Sequence, residues 1–304
     1  MSTRPYFIKP LLKRKEDQLY PVWTAEDKAH LAHVARKLGR GLPRSPACTH
    51  VQGNGGLKGA VRAVQGALGQ HRYVFCTDVK SYCASIDHHK LMDHVTDRDT
   101  LNLLWQYMRR TVQYGGTFQE ITRGIPGGAA LSPLIGAFHL HDLDVAVTTQ
   151  HKGCFYIRYM DDILILAPTR GRLRRAIAAV RQHFGALGLE LHPDKTAIGP
   201  IARGFDFLGY HHDPSGLRLA AVTRERHLEK LTRLYERYQR RLRAYRKALV
   251  GQSTIPHRHD PARAYLKPQP VITSLKDIFR PTAGLQRRFD AWASGGLKTC
   301  DLDY

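Results

Sequence analysis

Tyr159-Met160-Asp161-Asp162 sits between two apolar runs, Cys154-Phe155-Tyr156-Ile157 before it and Ile163-Leu164-Ile165-Leu166 after it. Two β-rich apolar segments around a polar tip read as a hairpin, so this stretch commits the middle of the chain to strand–turn–strand. Adjacent carboxylates at such a tip pose an electrostatic problem. Like charges repel, and one acid stays protonated unless a cation or a hydrogen-bond donor neutralises the pair. A hard divalent cation with oxygen ligands is the natural partner. A solvated Asp-Asp turn is the plain alternative, because turns favour Asp, and the pair alone does not decide between them.

The chain's 304 residues allow one large or two to three small domains around a real core. A hydrophobic content of 42% excludes general disorder, and no apolar run is long enough to cross a bilayer. Met1-Ser2-Thr3-Arg4-Pro5-Tyr6 lacks an apolar signal core, which places the expected location in the cytoplasm. Cys48, Cys76, Cys83, Cys154 and Cys300 are scattered with no Cys-x-x-Cys pair, an argument for reduced thiols and against zinc. A formal net charge of +21 favours a polyanionic partner, nucleic acid first. An anionic membrane fits less well, since the basic residues spread over the whole chain.

Along the chain, residues 1–47 are basic, with a helix expected over Glu26–Leu38 and breaks at Pro43 and Pro46. Tyr73-Val74-Phe75-Cys76-Thr77 reads as a strand that delivers Asp78 at its end. Helices are expected over Asp87–Val95 and Asp99–Thr111, then a polar strand over Thr117–Thr122. A Gly/Pro loop spans Arg123–Ala130, an apolar helix Leu131–Leu143 and an amphipathic helix Arg170–Leu187. Leu189–Ile198 and Phe205–Tyr210 look like strands. From Arg224 to Leu249, Leu228, Leu231, Tyr235, Tyr238, Leu242, Tyr245 and Leu249 recur at helical spacing among arginines and lysines, giving a packed stripe with a cationic face. Residues 251–281 read as a loop, and a last helix lies around Leu285–Trp292.

Two-metal phosphoryl transfer needs carboxylates from separate strands converging on ions roughly 3.5–4 Å apart. Asp161 at a hairpin tip and Asp78 at a strand end supply such a pair. The order of motifs then carries a resemblance. Phe75–His88 holds the first acid, Arg123–Pro133 is a loop-helix motif, and Tyr159–Asp162 is the second acid motif. Gly188–Thr196 and Phe207-Leu208-Gly209-Tyr210 follow. Over about residues 50–212 the chain resembles a reverse transcriptase of the bacterial, group II intron-like branch, an RNA-directed DNA polymerase.

The resemblance implies an α+β fold, a right-hand polymerase with short fingers, an antiparallel-sheet palm and a helical thumb. Residues 1–72 would form the basic N-terminal segment and short fingers. The palm would span 73–212, with finger elements inserted around 88–122, and 213–304 would be thumb and C-terminal tail. Asp78 and Asp161 would bind two Mg²⁺ ions, for which Mn²⁺ can substitute, with Asp162 beside them and the Val79 carbonyl completing one coordination sphere. Tyr82, Cys83, Gly127, Gly128 and Lys195 would meet the incoming nucleotide. Lys195 would act as a point charge or proton donor, against the plain reading of a solvated strand-end lysine. Tyr159, Leu208 and Gly209 would face nucleic acid, and Arg158 would contact it or merely flank the hairpin. Arg233, Arg237, Arg240 and Arg241 on the thumb helix would bind phosphate without sequence preference, while the tyrosines of that helix are expected in a core. Implied partners are an RNA template, including a dedicated structured noncoding RNA, a DNA or RNA primer, dNTPs, and a protein partner or second copy, with no membrane.

Three departures stand out. Gly127 replaces the family's Gln, which helps position the template. Cys83 stands where the family has a Phe or Tyr gate against the ribose 2′-hydroxyl, with Tyr82 as the alternative gate. The first fingers motif is missing before Cys48, where Arg36, Lys37, Arg40 and Arg44 are candidate substitutes for its triphosphate-gripping Arg. An RNA-dependent RNA polymerase, a template-independent polymerase and an RNA-binding scaffold remain competing readings, and retroelement, antiphage defence and domesticated enzyme all stay open as settings.

Overall fold

The computed structural model describes residues 11–252, apart from positions 16, 17, 94, 96, 97, 110, 115 and 116. The loop expected after the long basic helix and the closing helix at Leu285–Trp292 lie outside the described residues. The central sheet is antiparallel, with strands in the order Phe155–Tyr159, Asp162–Ala167, Tyr73–Thr77 and Ala197–Pro200. Alternate residues along each strand face opposite sides. Phe75, Tyr156, Ile163 and Ile165 enter one apolar cluster; Val74, Cys76, Ile157, Leu164 and Leu166 enter another. Helix Arg170–Leu187 covers the first face through Leu173, Ile177 and Val180, and helix Gly56–Ala67 covers the second through Ala60 and Val64. With both faces covered, Ile163–Leu166 is apolar throughout instead of alternating. Each of these fully buried aliphatic side chains is worth about 1.5–3 kcal/mol.

Local signals set the helix ends. Thr24 and Asp27 form a capping box that starts the helix Ala25–Leu38. Thr169 caps Arg170–Leu187, and Gly188, at φ 70°, ends it in the left-handed conformation. The expected single apolar helix from Leu131 is instead two, Leu131–His139 and His141–Gln150, meeting at Leu140. The expected strand over Leu189–Ile198 is broken by a 3₁₀ turn at Pro193–Lys195, since proline cannot donate to a ladder; only Ala197–Pro200 joins the sheet.

Of a second four-stranded sheet, the sequence reading holds only the strand at Thr117, which runs Thr117–Glu120. Hairpin Leu11–Lys15 and Gln18–Val22 joins Thr111–Tyr114 and Thr117–Glu120, with a parallel contact at Leu11 and Gln113. The helix expected to reach Thr111 ends at Met108. A third sheet of three strands comprises Phe205–Phe207, Tyr210–Asp213 and Gly216–Leu219. The expected thumb boundary at residue 213 falls inside its last hairpin, where Asp213 pairs with Gly216. The chain divides into compact units of residues 1–226 and 227–304, the division lying within the long helix Ala221–Gln252. On that helix the expected packed stripe is partly open: Tyr235 is 63% and Tyr245 42% exposed, while Leu231, Tyr238 and Leu242 are half-buried.

One buried polar group ties the helices to the hairpin. Arg158 and Asp144 are both wholly buried, with Arg158 Nη2 at 2.6 Å and Nε at 2.7 Å from the two carboxylate oxygens of Asp144. Tyr156 donates its hydroxyl to the same carboxylate at 2.6 Å. The spare guanidinium hydrogens go to the carbonyls of Met160 at 2.7 Å, Ala137 at 3.1 Å and Gly136 at 3.4 Å. Expected nucleic-acid contact by Arg158 is therefore corrected. Its whole donor set is spent inside the protein, where the charge is tolerated only because it is paired. Removing one partner strands the other. Asp144→Ala is expected to lower unfolding stability by about 3–5 kcal/mol, read from the urea midpoint; a loss below about 1 kcal/mol would contradict this role.

Candidate active site

Strand register brings the acids together. Thr77 pairs with Ile163, so Asp78, one residue on, arrives beside the start of the Asp162–Ala167 strand. Tyr159 pairs with Asp162 across a two-residue tip, Met160-Asp161. Met160 has φ 56°, as the first position of a tight hairpin turn requires, although a non-glycine residue there costs about 1–2 kcal/mol. Both its polar groups are held: its N–H donates to His50 Nδ1 at 2.9 Å, and its carbonyl accepts from Arg158.

Beyond Asp78 the backbone pairs with another segment. His192 N–H donates to the Asp78 carbonyl at 2.8 Å, and Lys80 N–H donates to the Glu190 carbonyl at 2.9 Å. Val79 faces Leu191 between them, its own carbonyl outside that pairing. Three residues after His192, Lys195 reaches back and its ammonium contacts the Asp78 carboxylate. Thr77 and Thr196 lock the same junction with a 2.7 Å hydroxyl–hydroxyl bond.

The acids are short of positive charge. Burial, then a hydrogen bond to Asp78 and its charge, raises the Asp161 carboxyl to about 7. Burial, then the charge of Asp78, raises Asp162 to about 6, against a lowering influence from Lys195. Lys195 is shifted up, chiefly by its hydrogen bond to Asp78. An all-oxygen donor set whose members resist ionising together fits a hard divalent ion. Among the described residues no group of three or more His, Cys, Asp or Glu side chains encloses an ion unaided. Water and substrate phosphates would complete the ligands, as is usual for Mg²⁺.

The residues expected to meet a nucleotide divide. Cys83 is half-buried and close enough for Asp161 to raise its thiol pKa, after burial. Tyr82 is 2% exposed and donates its hydroxyl to the Gly136 carbonyl at 2.9 Å. Its expected contact with nucleotide, and with it the role of alternative gate, is corrected, since the ring is committed to the core. Gly128 has φ 74°, a left-handed conformation that favours glycine. Gly127 is different: a Cβ there would meet nothing within 4 Å, so no steric demand excludes a side chain. Its carbonyl accepts from Trp23 Nε1 at 3.3 Å, and Tyr107 and Ser132 hold the neighbouring Pro126 carbonyl at 3.1 and 2.5 Å. Gly124 is pinned against the first acid motif, where a Cβ would stand 2.9 Å from the Ala84 Cα.

Tyr159 is half-buried, edge-on to His50 with ring centroids 5.8 Å apart. Leu208 and Gly209, at φ 49° and 81°, form the two-residue turn between Phe205–Phe207 and Tyr210–Asp213. Arg233, Arg237, Arg240 and Arg241 are exposed on the long helix. Arg36, Arg40 and Arg44 line one cleft of about 500 Å³ with His50, Gln52 and Pro133. Asp144, Trp23 and Tyr107 had no functional signal in the sequence, because each meets partners on other elements, and His50 only opened a stretch loosely like a family motif.

Comparison with known proteins follows the same lines. The family described as "Reverse transcriptase (RNA-dependent DNA polymerase)" matches residues 29–212, more than half of the chain. Protein YkfC of Escherichia coli (strain K12) is 27% identical over 180 residues, covering 46% of this chain and 46% of that protein. Protein P of a hepatitis B virus of genotype B2 is 29% identical over 153 residues, covering 48% of this chain and 18% of the viral protein. The chain thus spans less than half the length of either relative. A solved telomerase structure from Candida albicans, with a fragment of telomeric RNA, superposes with a TM-score of 0.53 at 11% identity. That match covers 72% of this chain and 46% of the telomerase chain, and it supports the right-hand fold alone. No helix among the described residues is long and apolar enough to cross a membrane.

The raised acids give a signed pH dependence. An aspartate whose folded pKa exceeds its unfolded value of 3.8 binds more protons when folded, so stability falls as pH rises from about 4 to 7. In chelator at pH 8, Asp161→Asn is expected to be more stable than the parent by roughly 1–3 kcal/mol, discounting for partial exposure. The gap should vanish below about pH 4, the unfolded value. Chemical denaturation at both pH values checks this, and a pH-independent gap would contradict it.

Proposed function

Since this chain belongs to the reverse transcriptase family, we propose that it is an RNA-directed DNA polymerase extending a primer 3′-hydroxyl along an RNA template. The observation that carries the reading is the convergence of Asp78, Asp161 and Asp162 at one corner of the sheet, with Lys195 against Asp78. Asp78 and Asp161, with Asp162 and the Val79 carbonyl, would hold two Mg²⁺ ions, or Mn²⁺ in their place. When bound, these ions would polarise the primer hydroxyl and neutralise charge on the triphosphate.

The protein's own groups do the rest. Lys195, on the edge of the acid cluster, offers a mobile ammonium to the triphosphate and a proton to departing pyrophosphate. The exposed guanidinium groups of Arg36, Arg40 and Arg44 have no acidic partner among the described residues. Their cleft suits phosphates of the template strand, while Arg233, Arg237, Arg240 and Arg241 bind backbone phosphate in the duplex. Gly127 leaves open space where a side chain would fit, so template grip here rests more on these arginines. With Tyr82 buried, Cys83 and the local backbone are left as candidates for the gate on the sugar side. A small thiol leaves room for a 2′-hydroxyl, which favours a second reading of this same enzyme as one with relaxed sugar selection.

Purified protein with Mg²⁺, a primed RNA template and dNTPs is expected to incorporate nucleotide. Asp161→Asn should lose about a thousandfold, several kcal/mol at 1.36 kcal/mol per tenfold; equal incorporation by the variant would overturn the reading. Cys83→Phe is expected to raise the dNTP-over-rNTP ratio of kcat/KM about tenfold or more. A parent enzyme already as selective as Cys83→Phe would remove Cys83 from the gate.

A further inference from the structure

We propose that His50 is a positioning residue whose imidazole ties the Met160 turn to the start of the Leu131–His139 helix and so sets where Asp161 stands. The proposal rests on the polymerase reading for its consequence in turnover, but not for its geometry.

The ring makes two backbone bonds of opposite kind, and the Cys48 thiol also lies 3.3 Å from Nδ1. Nδ1 lies 2.9 Å from the Met160 N–H, which can only donate, so Nδ1 accepts. Nε2 lies 2.9 Å from the Pro133 carbonyl, which can only accept, so Nε2 carries the proton. A neutral imidazole has one donor and one acceptor, and both are used. Burial favours that neutral form by lowering the pKa of His50.

Backbone pairing delivers the ring to this place. Cys48 forms a parallel bridge with Arg158. Arg158 N–H donates to the Ala47 carbonyl at 2.8 Å, and Thr49 returns its N–H at 2.8 Å and its hydroxyl at 3.0 Å to the Arg158 carbonyl. Residues 47–50 thus run beside the hairpin in register, with His50 two beyond Cys48 as Met160 is two beyond Arg158. Met160 cannot relax from its positive φ while its N–H is held by His50 and its carbonyl by Arg158. The same ring borders the Arg36–Arg40–Arg44 cleft together with Pro133, placing it between that cleft and the acids. A misplacement of about 1 Å at a reacting centre can cost on the order of a hundredfold in rate.

Two substitutions separate the bonds. His50→Asn keeps an acceptor near the Nδ1 position but cannot reach Pro133; His50→Gln keeps a donor near the Nε2 position but offers no acceptor to Met160. In the full chain, Mg²⁺ and Mn²⁺ affinity by calorimetry is expected to fall about tenfold in His50→Ala. Turnover should fall with it, while KM for dNTP changes less than about threefold, as expected when an interaction outside the nucleotide contact is lost. His50→Asn should recover most of the affinity and His50→Gln little. Melting in chelator reports general damage, which would lower all three variants alike without ordering their metal affinity. Wild-type affinity in His50→Ala, or rescue by Gln instead of Asn, would overturn the proposal. Ion affinity is read without turnover, so a wild-type protein that binds ions in this order yet incorporates nothing would sink the polymerase reading and still support this one.

Discussion

The ion pair between Arg158 and Asp144 is the interaction on which the candidate site depends. A guanidinium with no exposure must have every hydrogen bond answered, and this one is answered by Asp144, by two carbonyls of the Leu131–His139 helix and by the carbonyl of Met160. The charge requirement of one side chain therefore joins two helices, a strand and the Met160-Asp161 turn into a single unit. Breaking such a pair is expensive, whereas replacing both members by apolar residues is often nearly neutral. The pair is thus better explained by what it positions than by the stability it adds.

That unit holds an unfavourable arrangement in place. Met160 sits at a positive φ, and Asp161 and Asp162 are held near Asp78 with carboxyls pushed up to about 7 and 6. Strain and like-charge crowding at one tip need surrounding structure to sustain them. Arg158 on one side and His50 on the other supply it, and Lys195 partly compensates the charge. In the proposed function a divalent ion would relieve the crowding that the protein has imposed.

Much of this was legible in the sequence, for local reasons. The apolar runs around Tyr159–Asp162, the strand before Asp78 and the helix Arg170–Leu187 all announce themselves by short-range pattern, and motif order pointed to the family. Arg158 could be read two ways, since a strand with both faces buried gives no sign of which side a long cation takes. Its partner Asp144 lies on a helix 14 residues before it, and His50 acts 110 residues away on Met160; neither spacing is periodic. Tyr235 and Tyr245 misled for a related reason. Helical spacing reports that a face is apolar, not that the described chain covers it, and both are largely exposed. The strand at Thr117 was legible, but the sheet it joins was not, because the contact that builds it lies between Leu11 and Gln113, beyond the reach of any local signal.

The most direct test replaces the ion pair outright, as Asp144→Leu with Arg158→Met, and measures unfolding stability and Mn²⁺ affinity on the same sample. The account predicts stability within about 2 kcal/mol of the parent, since apolar replacement of a buried pair is often neutral. It predicts Mn²⁺ affinity lowered about tenfold or more, because the Met160 carbonyl loses its donor and the turn is free to relax. A stable double variant that binds Mn²⁺ as tightly as the parent would contradict it.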